Sequence, residues 1–152
     1  MVKIKTNSSF PEIVMAMREN CQAFLAVCEA LTQEQALIGG ICGEWSAKAV
    51  VDHLTGWQLA SPSFLKGILS SENPILDLDI DAFNQISVQA RQALSWKDSL
   101  AAFKISFAAF EGALAEIPNA QFKANVGIKS WVKAMNHEYV FHRIHIRKAQ
   151  ER

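Results

Sequence analysis

Residues 130–149 have the sequence SWVKAMNHEYVFHRIHIRKA and predict a long amphipathic helix. Val132, Met135, Tyr139 and Ile146 recur at helical spacing, so they form its apolar face. Ser130 is a suitable N-cap for this helix. The same segment also contains most of the histidine side chains of the protein, which can bind metal ions.

Three of the four histidines of the chain, His137, His142 and His145, lie in this helix. Glu138 and His142 are four residues apart, so they point the same way, one turn above the other. His145 continues the same stripe, whereas His137 lies roughly 140° from His142 around the helix. A carboxylate and an imidazole on one face can share a divalent metal ion, which makes Glu138 and His142 candidate ligands.

The fourth histidine, His53, is the candidate third ligand. It follows the N-cap Ser46 on the apolar face of a predicted helix, with Trp57 one turn further on. Two imidazoles and one carboxylate leave positions open for water or substrate, as in catalytic metal sites. Zinc, nickel, iron and manganese all accept such ligands, and the spacing does not choose among them.

An alternative without metal fits the same residues. Glu138 can form a surface ion pair with Arg143 or a neighbour, while the histidines are solvated or hydrogen-bonded in the core. Trp57 and Tyr139 are candidates for the wall of a pocket, and both fit equally well as packing residues. No Ser-His-Asp triad, short zinc motif or glycine-rich phosphate loop can be identified, so no catalytic residue is assigned.

The other apolar patterns also have helical period, and no segment alternates as a strand does. Ser9 and Glu12 form a capping box before a helix that ends near Leu31, and a short turn follows Thr32. The further predicted elements are a helix after Ser46 that Pro62 kinks or ends, a helical segment over residues 80–94, a phenylalanine-rich helix from Ser95 to Ile117, and a loop over residues 119–129. The sequence therefore predicts an all-α fold, a four-helix bundle with an additional short helical segment, in one domain over residues 1–152.

Composition narrows the possible partners and location. Fifteen basic residues balance fifteen acidic ones, which argues against nucleic acid as the main partner, although Arg143, Arg147, Lys148 and Arg152 gather at the end. No apolar run has the length of a membrane span or of a signal peptide, so no membrane partner is expected. The three cysteines form no Cys-x-x-Cys pair and are typical of buried, reduced thiols in a cytoplasmic protein.

Four segments together resemble the DinB/YfiT-like superfamily of helical bundle proteins. Residues 43–57, GEWSAKAVVDHLTGW, resemble that family's Trp-Ser-x-Lys…His-Leu-x-x-Trp entry into its second helix. Residues 81–84, DAFN, resemble the asparagine-bearing start of its middle segment, residues 95–100 a helix start, and the last helix its closing His-x-x-x-His helix. The colibactin-resistance (ClbS/DfsB-like) branch has a similar entry segment and includes members without a metal requirement.

The resemblance implies a ligand triad of one histidine from the second helix and two from the last. His53 and His142 match two of these positions, whereas Glu138 stands where the family has histidine. Glutamate can still ligate a metal, and a local shift would allow His145 to substitute. The resemblance therefore implies a divalent metal cofactor held by two histidines and one carboxylate.

The resemblance also implies a function and an assembly. Members include metal-dependent transferases and isomerases that use low-molecular-weight thiols, and some hydrolases. We expect a metal-dependent enzyme, a thiol-dependent S-transferase or a hydrolase, that acts on a small electrophilic molecule in detoxification or stress. The alternative is a non-catalytic small-molecule-binding or stress-associated protein with a degenerate metal site. Analogy of fold and the helix over residues 80–94 predict a homodimer.

Overall fold

The computed structural model describes residues 3–5 and 8–151. These residues form seven helices: α1 (Phe10–Glu29), α2 (Gln33–Leu37), α3 (Ala47–Leu69), α4 (Ile80–Gln89), α5 (Trp96–Ala115), α6 (Asn119–Ala124) and α7 (Val126–Gln150). Within the described ranges there is no strand, only an isolated bridge between Cys42 and Trp45. The predicted fold class, all-α with four long helices and an additional helical segment, is confirmed.

Serine residues cap the start of three of the long helices, as predicted. The backbone N–H of Ser9 donates to Glu12 Oε2 at 2.5 Å, which is one half of a capping box for α1. Ser46 Oγ accepts from the N–H three residues on at 3.2 Å, and Ser95 Oγ does the same at 3.1 Å. These caps satisfy N–H groups that have no partner inside the helix, so they set where α1, α3 and α5 begin.

Two sequence predictions about helix ends are wrong. Residues 119–129 are not a loop, since α6 and the first turn of α7 lie there. The cap of α7 is not Ser130 but Asn125, whose Oδ1 accepts from Gly127 N at 3.0 Å. The low helix propensity of Gly127 obscured this earlier start. Pro62 does not end α3, because it lies inside this helix, which continues to Leu69.

The described residues cluster into two compact units. The first, which we call the α1/α7 unit, comprises the described residues within Met1–Ala30 and Ile117–Arg152. Its core contains Met17 and Phe24 of α1 and Val132 and Tyr139 of α7, all buried. Asn20 Nδ2 also donates to Asn136 Oδ1 at 2.8 Å, which joins the two helices by a polar contact within this core. This packing fixes which face of α7 is exposed.

The second unit, the α3/α5 unit, comprises Leu31–Glu116 and contains α2 to α5. Helix α3 packs against α5 and α4, and the core contains Val50, Leu54, Phe103 and Phe110. The predicted phenylalanine stripe of α5 is thus core packing. Residues 50–58 of α3 are buried without exception, including polar side chains, so these must find hydrogen-bond partners inside the protein.

None of the helices in the described part of the chain combines the length and apolarity that a membrane crossing needs. Cys21 and Cys28 are buried on α1, as their positions on its apolar face predict. Burial raises the pKa of the Cys28 thiol far above its ordinary value, so this residue remains a neutral thiol at physiological pH.

Candidate metal centre

Glu138 and His142 meet on one face of α7. His142 Nε2 lies 3.1 Å from Glu138 Oε2. A carboxylate only accepts hydrogen bonds, so Nε2 carries the proton and donates it. The His142 side chain is 4% exposed and that of Glu138 is 36% exposed. The pair therefore brings a nitrogen and an oxygen, both metal-ligating atom types, within 3.1 Å of each other, and the carboxylate is the more exposed of the two groups.

The two other histidines of α7 make different contacts. His145 Nδ1 donates to the backbone carbonyl of Phe141 at 2.8 Å, and the two rings are 4.2 Å apart. His137 is exposed, with its ring centroid 6.0 Å from that of Phe141. His145 thus has one nitrogen engaged with the helix backbone. Its role as a substitute ligand remains a prediction.

His53 is held on α3 by two neighbours of the α3/α5 unit. Its ring is 4% exposed, and Nδ1 lies 3.2 Å from Asn84 Oδ1 of α4. The Trp45 ring lies 4.8 Å from the His53 ring at an interplanar angle of 51°. Trp45 follows a turn in which its N–H donates to Cys42 O at 3.0 Å, and Gly43 has a φ of 58°, which favours glycine. The Trp45 ring therefore restrains the plane of the imidazole, and Asn84 restrains the position of its Nδ1 atom.

The two residues predicted to line a pocket are both buried. Trp57 Nε1 donates to Asn84 Oδ1 at 2.8 Å, and its ring lies 4.3 Å from that of Phe83. Tyr139 lies in the core of the α1/α7 unit, with its ring 6.3 Å from Phe24. Trp57 thus shares a hydrogen-bond acceptor with His53. The place of Trp57 and Tyr139 in a pocket wall remains a prediction.

A buried ion pair, which sequence reasoning missed, directly precedes His53 on α3. Lys48 Nζ donates to Asp52 Oδ2 at 2.6 Å and to the carbonyl of Arg91 at 2.9 Å. Arg91 in turn donates to the carbonyl of Ser87 at 2.7 Å. Burial lowers the pKa of the Arg91 guanidinium, and the Asp52 carboxylate acts in the opposite direction. The available signal was opposite charges four residues apart on an otherwise apolar helix face.

His53, Glu138 and His142 are a set of donors that could hold a metal ion. Two imidazoles and one carboxylate suit zinc, nickel, iron or manganese, and three protein ligands leave positions open. Among the residues that the structure describes, His145 is not part of this set. The chemistry of the donors therefore fits the cofactor that the sequence predicted.

Comparison with solved structures gives a likeness in fold. No family model and no curated protein matches the sequence. The crystal structure of colibactin self-resistance protein ClbS in complex with a dsDNA is similar in fold, with a TM-score of 0.80. The sequences are 16% identical, and the match covers 97% of this chain and 98% of that chain. At this identity the likeness concerns the fold alone.

This finding corrects the expectation that nucleic acid is not a partner. A protein of the same fold is in complex with dsDNA, so that exclusion is wrong. The net charge of zero suggested no nucleic-acid surface, but it hides an uneven distribution of charged residues along the chain. Residues 117–152 contain seven basic and two acidic residues, whereas residues 31–116 contain five basic and ten acidic ones. The local distribution of charge, and not the net charge, therefore indicates whether a surface can bind nucleic acid.

The resemblance that residues 43–57 carry is supported over almost the whole chain, and its motif residues have visible physical roles. Trp45 packs on His53, Ser46 caps α3, and Lys48 pairs with Asp52. We conclude that this chain has the helical fold of the colibactin self-resistance protein ClbS.

Proposed function

We propose that His53, Glu138 and His142 hold one divalent metal ion, and that the protein acts through this site on a small electrophilic molecule. The reaction would be a thiol-dependent S-transfer or a hydrolysis, in the cytoplasm, where low-molecular-weight thiols are kept reduced. The observation that carries the proposal is the 3.1 Å approach of His142 Nε2 to Glu138 Oε2, a buried imidazole beside a half-exposed carboxylate. A fold shared with a self-resistance protein supports a protective role.

The protein's own side chains would bind and orient the cation. Asn84 and Trp45 restrain the His53 ring, so little conformational freedom is lost when it binds a cation. A cation at His142 Nε2 would require the proton that this nitrogen now donates to Glu138 to move to Nδ1, so the ring would bind as a neutral imidazole that keeps one proton. When bound, a divalent ion supplies Lewis acidity and lowers the pKa of a coordinated thiol or water. The half-exposed Glu138 marks the side from which substrate would enter.

Consumption of a thiol in the presence of an electrophile tests this function. The probes are glutathione and free cysteine with 1-chloro-2,4-dinitrobenzene, assayed with zinc, nickel, iron(II) or manganese. We expect metal-dependent consumption by the wild type and a loss of about 100-fold or more in His53→Ala, as when a catalytic group is removed. His137→Ala is the matched control and should keep the wild-type rate.

Three other outcomes distinguish the alternatives. Loss of the electrophile without consumption of thiol would indicate the hydrolase. Bound metal without turnover of any probe would indicate the non-catalytic small-molecule-binding or stress-associated protein. Equal rates in the wild type and His53→Ala would contradict both catalytic forms of the proposal.

A second candidate function is binding of double-stranded DNA, and a basic stripe on α7 favours it. Lys129, Lys133, Arg143 and Arg147 lie within an arc of about 80° and span about 27 Å of the helix. Lys133 and Arg147 are exposed, and Lys129 and Arg143 are half-buried. Glu138 lies about 180° from Lys129 around the same helix, so the stripe and the candidate ligands do not compete for one face. A row of cations matches the spaced phosphates of a duplex.

Fluorescence anisotropy with a labelled duplex at several salt concentrations tests the basic stripe. We expect Lys133→Glu/Arg147→Glu to weaken binding at least about 10-fold and to reduce the salt dependence, since each lost phosphate contact lowers the slope by about 1. Lys97→Glu/Lys104→Glu on α5 makes the same change of charge on exposed residues of the other unit. Equal loss of affinity in both double variants would show that only net charge matters, and would refute the stripe.

The homodimer also remains a proposal, motivated by α4. Ile80 is 48% exposed and Ile86 is 64% exposed, although both are large and apolar. Such side chains on one short helix favour contact with a second copy. We expect light scattering to give twice the monomer mass over a wide concentration range. A monomer mass at every concentration would exclude the dimer.

A further inference from the structure

We propose that Asn84 is a positioning residue that fixes the tautomer of His53, with the proton on Nδ1 and the lone pair on Nε2. Its consequence for metal binding rests on the proposed function, whereas the tautomer itself can be measured without metal. The contact that carries the inference is Asn84 Oδ1 to His53 Nδ1, at 3.2 Å. Which atom donates depends on which end of the Asn84 amide faces the ring.

Trp57 decides the orientation of that amide. Its indole Nε1 lies 2.8 Å from the same Asn84 atom, and an indole N–H only donates. If the amide were flipped, its NH₂ group would face the indole N–H, donor against donor. The atom must therefore be Oδ1, and His53 Nδ1 must donate to it as an N–H. A neutral imidazole then has its lone pair on Nε2, which is the nitrogen that would bind a metal ion.

Helix α4 is attached to α3 in a way that holds Asn84 in place. Asn84 and Ser87 of α4, and Arg91 just after its end, are spaced at three and four residues and all contact α3. Ser87 packs directly on Gly56, where an added Cβ would lie only 2.6 Å from Ser87 Cβ. Further along, Lys48 Nζ donates to the Arg91 carbonyl at 2.9 Å. These two contacts, together with the hydrogen bonds of Asn84 with His53 and Trp57, thus set the register of α4 on α3.

The choice of asparagine has a chemical consequence. A neutral amide oxygen accepts the Nδ1 proton without adding a negative charge beside the ring, as an aspartate would. Partners that orient a ligating histidine through its other nitrogen typically change metal affinity by 10–100-fold. Asn84 would therefore act on the site through His53, without contact with the metal or substrate.

Nitrogen NMR of the histidine rings tests the proposal directly. The sample is metal-free protein labelled with ¹⁵N-histidine, at a pH where the rings are neutral, and His53 is assigned by its absence in His53→Ala. We expect the protonated-type shift at Nδ1 of His53 in the wild type. Asn84→Leu should lose this tautomer preference, Asn84→Asp should retain it, and Gln85→Ala, an exposed neighbour on α4, should leave it unchanged.

Zinc titration of the same variants separates this proposal from the function. We expect Asn84→Leu to weaken zinc binding by about 10–100-fold, and Asn84→Asp to restore most of it. His53 in the Nε2-protonated tautomer in the wild type would overturn the proposal even if Asn84→Leu fails to fold, as would an unchanged tautomer in a folded Asn84→Leu. The expected tautomer in a protein that binds no zinc would support the role of Asn84 and refute the metal site.

Discussion

Replacing Lys48 by methionine should lower the free energy of unfolding by about 3–5 kcal/mol. Lys48 and Asp52 form a 2.6 Å ion pair with side-chain exposures of 7% and 1%. Methionine fills a similar volume but leaves the Asp52 carboxylate buried without its cation. It also removes the donor to the Arg91 carbonyl, so the turn that follows α4 loses an attachment to α3.

Urea unfolding followed by circular dichroism measures this change. Lys66→Met is the matched control, because Lys66 is exposed on the same helix, and its effect should stay within about 0.5 kcal/mol. The double variant Lys48→Met/Asp52→Leu should recover much of the loss, since no buried charge remains unpaired. A loss below about 1 kcal/mol in Lys48→Met would mean that the pair is solvated in solution.

Removing either candidate histidine ligand should abolish tight metal binding. We expect His53→Ala and His142→Ala each to weaken zinc binding by about 100-fold or more, beyond the 10–100-fold typical of a residue that only orients a ligand. Glu138→Gln should weaken it less, because water can take the position of a half-exposed carboxylate. Calorimetric titration with zinc and with manganese measures all three variants.

His137→Ala is the control on the same helix and should bind as the wild type does, because His137 is exposed and lies off the stripe of Glu138 and His142. Loss of metal in His137→Ala with retention in His142→Ala would show that the wrong face of α7 was chosen. Loss in His145→Ala alone would instead identify His145 as the ligand in place of one of the three.

Much of the fold could be predicted because its signals are local. The caps at Ser9, Ser46 and Ser95 and the 3.6-residue period of the apolar side chains identify the four long helices. The start of α7 was missed because Asn125 caps it through a turn that contains Gly127, a weak helix former. Where the local preference is weak, packing of Ile128 in the core decides, and sequence alone does not show that packing.

The candidate site could be predicted only in part, for the same reason. The spacing of Glu138 and His142 is a property of one helix, so their contact follows from periodicity. The partners of His53 come from elsewhere in the chain: Asn84 from α4 and Trp45 from a turn. Lys48 and Asp52 are buried together, against the usual exposure of charged residues. Such choices depend on tertiary packing, which an apolar pattern does not encode.

The central claim is that one divalent ion is held by His53, Glu138 and His142. Anomalous diffraction from crystals grown with zinc, collected on both sides of the zinc absorption edge, tests it most directly. We predict one strong peak per chain, at about 2.0–2.2 Å from Nε2 of His53, from a nitrogen of His142 and from a carboxylate oxygen of Glu138. A zinc peak bound elsewhere, or no peak in crystals soaked at saturating zinc, would contradict it.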